Sequence, residues 1–73
     1  MTFTHFLLSQ SYRADCVGDL ARDAVADINR PTKSIRQWRN YLKSVRASIW
    51  AFDALEKVWQ EYRIAVVLKL TKL

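Results

Sequence analysis

The sequence predicts an all-α protein, a compact four-helix bundle, and three observations carry the prediction. Apolar residues recur at steps of three and four in four separate stretches, the period of one helix face. A residue able to cap a helix precedes each stretch. The 73 residues include one glycine and one proline, too few for the turns of a β protein. The expected helices span about 3–11, 16–29, 35–46 and 49–66. They form one domain over residues 1–66, followed by a short apolar and basic tail over 67–73.

In the first stretch Thr2 is the cap, and Phe3, Phe6 and Leu7 fall at i, i+3 and i+4, with Leu8 beside them. His5 stands among them as an expected surface residue, since no cysteine or carboxylate cluster accompanies it to make a metal site. Asp15 caps the second stretch, where Val17, Leu20, Ala21, Ala24 and Ile28 make an apolar face helped by Val25. Gly18 lies inside this pattern, where it costs about 1 kcal/mol relative to alanine. Close approach to a neighbour, an aromatic of the last helix, would account for it. Asp15, Asp19, Asp23 and Asp27 recur every fourth residue and form an acidic ridge. The expected role is a solvated face that salt-bridges the basic segment. A site for a divalent cation or a basic partner is the alternative.

Residues 29–33 form a linker, because Pro31 keeps Arg30 out of helical angles. Ser34 and Gln37 then match a capping box, a specific start signal. Ile35, Trp38, Leu42 and Val45 are the apolar stripe of the third helix, with Tyr41 at its edge. At 100° per residue Arg36, Arg39, Lys43 and Arg46 fall within an arc of about 80°, roughly 115° from the centre of the apolar stripe. Lys33 and Arg30 extend this basic stripe. Ala47 and Ser48 leave room only for a tight corner, so the third and fourth helices must be neighbours.

The last helix is the richest. Phe52, Leu55, Trp59, Tyr62 and Val66 step by 3, 4, 3 and 4, and Ala51, Val58 and Ala65 widen the stripe. Together with Trp50 it holds more aromatic surface than one helix can leave in water, so the other segments must pack on it. Asp53 with Lys57, and Lys57 with Glu61, are expected i, i+4 pairs. Beyond Tyr62, Val66, Leu68 and Leu70 alternate with Val67, Lys69 and Thr71, which leans towards an extended tail, although the same residues could prolong the helix. The tail is expected to pack back on the domain, with docking or self-association as the alternative.

Net charge is +5 and unevenly spread. Residues 1–29 carry −2, residues 30–47 carry six cations and no acid, residues 48–63 carry −1, and Lys69 and Lys72 complete the total. A chain this short buries only about 60% of its unfolded surface, and an apolar content of 51% with nine aromatics compensates. The longest apolar run, 64–68, is far short of the roughly 18 residues a membrane span needs. The start of the chain lacks the layout of a signal peptide. Cys16, the one cysteine, has no partner for an internal disulfide and points to a reducing compartment. The expected setting is cytoplasmic.

The chemistry-bearing motifs are absent. One histidine and one cysteine stand unpaired by any motif, with no glycine-rich phosphate loop and no Cys/His metal spacing. The expectation is a protein that is not an enzyme and uses no cofactor, no metal and no small-molecule substrate.

Several blocks resemble a known family. They are Thr2-Phe3 with Phe6-Leu7-Leu8; Arg13, Asp15 and Val17-Gly18-Asp19-Leu20-Ala21-Arg22-Asp23-Ala24; Asp27 with Pro31; Tyr41-Leu42; and Ala54-Leu55 with Trp59 and Tyr62. The chain is similar over about residues 2–62 to the YozE-like small bacterial proteins with a sterile-alpha-motif (SAM)-like fold. The resemblance implies a bundle of four or so short helices and brings no site residue with it. The extension after Tyr62 departs from the pattern.

The leading functional expectation is a non-enzymatic interaction module. It would bind an acidic protein partner through Arg36, Arg39, Lys43 and Arg46, or a second copy head to tail through the Asp ridge. Sequence-tolerant nucleic-acid binding through the same stripe is the alternative, weakened because the nearby aromatics look committed to the core. A phage or mobile-element inhibitor of a host complex is a further one, with no specific residue behind it.

Overall fold

A computed structural model describes residues 2–71. Among them the chain forms four helices: α1 (Phe3–Leu8), α2 (Cys16–Ala26), α3 (Ile35–Ser44) and α4 (Ile49–Thr71). No strand forms among the described residues. The caps start the helices where the sequence placed them. Thr2 accepts the His5 amide, Asp15 accepts the Gly18 amide, and Ser34 and Gln37 close a reciprocal capping box. The Ser48 hydroxyl accepts the Ala51 amide at 3.3 Å.

The core is where the periodic stripes meet. Phe3 and Leu7 of α1, Val17, Leu20, Ala21 and Ala24 of α2, Trp38 and Leu42 of α3, and Ala54, Leu55 and Val58 of α4 are buried together. Phe3 stands edge-on to Trp59 and Tyr62, with ring centroids at 5.5 and 5.7 Å, the arrangement that the ring quadrupoles favour. α2 lies against α4 and α1, and α3 lies against α4.

One polar group is buried in this core among the described residues, and it joins three segments. Thr4 is 5% exposed, and its hydroxyl accepts the Trp38 indole N–H at 2.7 Å. It donates in turn towards the Lys33 carbonyl at 3.3 Å, which also accepts the Thr4 amide. The start of α1 is thereby fixed to the linker and to α3.

Helix ends differ from the sequence expectation, each for a local reason. α1 stops at Leu8 rather than near residue 11, because the Ser9 hydroxyl donates to the Phe6 carbonyl at 2.6 Å and tight turns follow. α2 stops at Ala26 rather than 29. Asp27 takes extended angles, and its carboxylate accepts the Asn29 amide at 2.8 Å, an Asx turn that competes with the helix. Ile28 therefore leaves the expected apolar face and is 94% exposed, and Val25 is exposed too.

α3 ends at Ser44 rather than 46, in a Schellman turn. The Ala47 amide donates to the Leu42 carbonyl and the Arg46 amide to the Lys43 carbonyl, with Arg46 in the left-handed region at φ 54°. This turn leaves Val45, expected in the core, exposed.

α4 runs on to Thr71, past the expected end at 66. No sheet edge exists among the described residues to pair an extended tail, whereas a continued helix supplies each new amide with a carbonyl. The expected folding back of the tail does not occur in residues 66–69, which are exposed. Lys72 and Leu73 lie outside the described residues. Trp50, grouped with the core aromatics by sequence, is 73% exposed.

Gly18 is needed for a different neighbour than an aromatic of α4. A Cβ there would sit 1.8 Å from the Arg13 carbonyl oxygen. Gly18→Ala should therefore lower stability despite alanine's better helix propensity. A loss of about 1–3 kcal/mol is the scale of forced overpacking, read as a lower urea midpoint. A gain in stability would show that the two segments separate freely.

Thr4→Val keeps the shape of the side chain and removes the acceptor of the Trp38 N–H. It should cost about 1–3 kcal/mol, the scale for an orphaned buried donor, in the same measurement. An unchanged midpoint would mean that this hydrogen bond contributes nothing.

Candidate functional site

The capping box and the inward stripe of α3 decide which way its cations point. Trp38 and Leu42 are buried, so Arg36 and Lys43 face outward. Seven residues apart, they return to within about 20° of the same direction. Both are exposed, and neither makes an ion pair among the described residues. Lys33 lies just before the N-cap of α3 and Arg46 just after its end, and both are exposed. Lys43 and Arg46 sit by the carbonyl end of the helix, where its dipole favours cations.

The other two cations of the predicted stripe are engaged within the fold. Arg39 donates through Nε and Nη2 to the two carboxylate oxygens of Glu56 at 2.8 and 2.7 Å, a fork that joins α3 to α4. The pairing holds Glu56 below the usual carboxylate range and raises Arg39. Arg30 turns back and donates to the carbonyls of Ala24, Val25 and Asp27 at 3.2–3.4 Å, closing the end of α2. Four of the six predicted cations thus remain outward: Lys33, Arg36, Lys43 and Arg46.

The acidic ridge does not salt-bridge this segment, contrary to expectation; its members are satisfied nearer home. Asp15 accepts the Gly18 amide at 3.0 Å and the Arg13 guanidinium, with Lys57 at 3.9 Å. Asp19 pairs with Arg22. Asp27 accepts the Tyr41 hydroxyl and the Asn29 amide, so the α3 group that reaches the ridge is a phenol and not a cation. Asp23 is exposed and makes no ion pair among the described residues.

The expected pairs along α4 also give way. Lys57 reaches Asp15, and Glu61 is taken by Arg13, which clamps it with both terminal nitrogens while holding Asp15 and Gln10. Sequence reading missed Arg13 as a hub. Its partner Glu61 lies 48 residues away, and nothing local signals that pairing.

His5 and Cys16 are both exposed. Among the described residues no three potential ligands gather where they could hold a metal ion. No helix among them is long and apolar enough to cross a membrane.

These bonds set a dependence on pH. The Gly18 amide and Arg13 lower Asp15; the Tyr41 hydroxyl and the Asn29 amide lower Asp27; Arg39 lowers Glu56. Carboxylates lowered by folding contribute stability that is full above their unfolded values, about 4, and lost as pH falls through the folded ones. Tyr41 is raised by its bond to Asp27. Its contribution is full below the ordinary tyrosine value of about 10 and is lost as pH rises through the folded one. Urea midpoints should therefore form a plateau from about pH 5 to 9 with a fall on either side. Tyr41→Phe should flatten the alkaline fall and soften the acid one. An alkaline edge identical in the variant would remove Tyr41 from this account.

A family model described as YozE SAM-like fold matches residues 2–63, which takes in the first three helices and α4 as far as Arg63. Neither a curated protein nor a solved structure matches the chain.

Proposed function

The chain belongs to the YozE SAM-like fold family, and from that premise we propose that it is a non-enzymatic interaction module that binds an acidic protein partner through the outer face of α3. One observation carries the reading: Arg36 and Lys43 share an exposed face, flanked by Lys33 and Arg46, and no acid of the chain pairs with them among the described residues. Cations left unpaired on one face attract an acidic surface, steer its approach and orient it on arrival. Arg39 supports the face from below by fixing α3 to α4 through Glu56.

An acidic surface on another protein suits this face better than the Asp ridge of a second copy. Asp15, Asp19 and Asp27 already have partners in their own chain. Nucleic acid would use the same cations, but the exposed aromatics Tyr12 and Trp50 lie outside α3. The exposed Trp50 lines a pocket with Asp19 and Asp23, whose charge repels phosphate. A reducing, cytoplasmic setting fits the lone exposed thiol of Cys16.

Fluorescence anisotropy separates these readings. A labelled glutamate-rich peptide, duplex DNA and single-stranded RNA are titrated at roughly 50 and 200 mM salt. The expected result is peptide binding that weakens with salt and is lost in Arg36→Glu/Lys43→Glu, whose positions are exposed and outside the core. DNA contact through four phosphates would fall about a hundredfold over that salt range. Nucleic acid bound more tightly than the peptide, or a peptide affinity unchanged in the double variant, would overturn the proposal.

A further inference from the structure

α2 and α3 both pack on α4, yet they leave a groove of about 320 Å³ between them. Leu20, Ala24, Leu42 and Ala51 make its wall apolar, and Asp23 and Asp27 stand on the α2 side. Past Asp23 a second hollow, sharing Leu20 and Ala51, continues to Asp19 and the exposed indole of Trp50. An apolar channel with carboxylates along one rim has the chemistry to seat an amphipathic helix that carries cations.

The chain has a helix end of that kind. Ile64, Val67 and Leu68, at i, i+3 and i+4 of α4, are 59%, 57% and 62% exposed. These are the spacings at which a helix presents anchors to a groove. Arg63 flanks this ridge on the Val67 side and is exposed. The ridge cannot enter the groove of its own molecule. Ala51 in the groove and Val67 in the ridge belong to one continuous helix, and 16 residues at 1.5 Å each hold them about 24 Å apart.

We propose that the chain associates with itself head to tail, the Ile64/Val67/Leu68 ridge of one copy entering the Asp-rimmed groove between α2 and α3 of the next. Arg63 of the incoming helix meets Asp23, which makes no ion pair in its own chain among the described residues, and the apolar anchors cover the wall around Leu20 and Ala51. Donor and acceptor are different surfaces, so a dimer still presents one groove and one ridge to further copies, and the assembly grows into open chains or closes into rings. This contact goes beyond the acidic-partner reading and uses other residues.

Sedimentation velocity from micromolar to submillimolar protein tests it with two single variants, Asp23→Arg in the groove and Val67→Asp on the ridge. Both positions are exposed, and helical circular dichroism confirms that each variant folds. The wild type should show species larger than a dimer as concentration rises. Each variant alone should stay monomeric, and an equal mixture of the two should give a dimer that grows no further, because only one intact groove and one intact ridge remain. A wild type that stays monomeric throughout, leaving the groove to a foreign helix, overturns the proposal. So does a dimer of Asp23→Arg alone, which would mean that two ridges pair symmetrically, or a mixture that fails to associate. Arg36→Glu/Lys43→Glu should associate like the wild type. If that variant instead loses self-association, α3 is the donor surface and the ridge is not, whatever the peptide titration shows.

Discussion

The Thr4 hydroxyl is the point on which the arrangement of the helices depends. A tryptophan that is buried must find a partner for its indole N–H, and in this small core Thr4 supplies it. Thr4 also engages the Lys33 carbonyl, so one residue sets the relation of α1, the linker and α3. The rotation of α3 follows from where Trp38 must point. The outward direction of Arg36 and Lys43 is thus a consequence of a hydrogen bond on the opposite side of the same helix.

Two arginines then fasten the outside. Arg13 joins the loop before α2 to α4 through Glu61, and Arg39 joins α3 to α4 through Glu56. Each uses a planar fork that a lysine could not reproduce. Being partly exposed, they contribute less to net stability than buried contacts do, and their larger effect is on geometry. Both end on α4, the helix on which the sequence already concentrates its aromatic surface. Arg39 leaves the basic face by this route, so the strength of that face cannot be counted from charge alone.

Much of the fold was legible because caps and periodicity are local. Thr2, Asp15 and the Ser34–Gln37 box marked helix starts that the structure keeps. Helix ends were less legible, because they rest on weaker competition. Asp27 bonding to Asn29, or Arg46 adopting positive φ, is a small local preference, and the apolar residues beside them, Ile28 and Val45, continue the helical period in sequence. The candidate site was half legible. The cations of α3 were evident, but their pairing was not, since Arg39–Glu56, Arg13–Glu61 and Tyr41–Asp27 are set by tertiary geometry. The groove was invisible for a related reason: it exists because α2 and α3 prefer α4 to each other, and no pattern within either helix records that.

The left-handed turn at Arg46 places two demands on one position. Backbone geometry there favours glycine, since a side chain in that region is strained by about 1 kcal/mol or more. On the proposed reading, the outer face of α3 gains from a cation at the same place. Fold and surface therefore pull this residue in opposite directions, a stability–activity trade-off contained in one side chain. Glycine would make the corner steadier and the face poorer in charge. An arginine held there against the preference of its own backbone is what a binding surface, and not a scaffold alone, would favour.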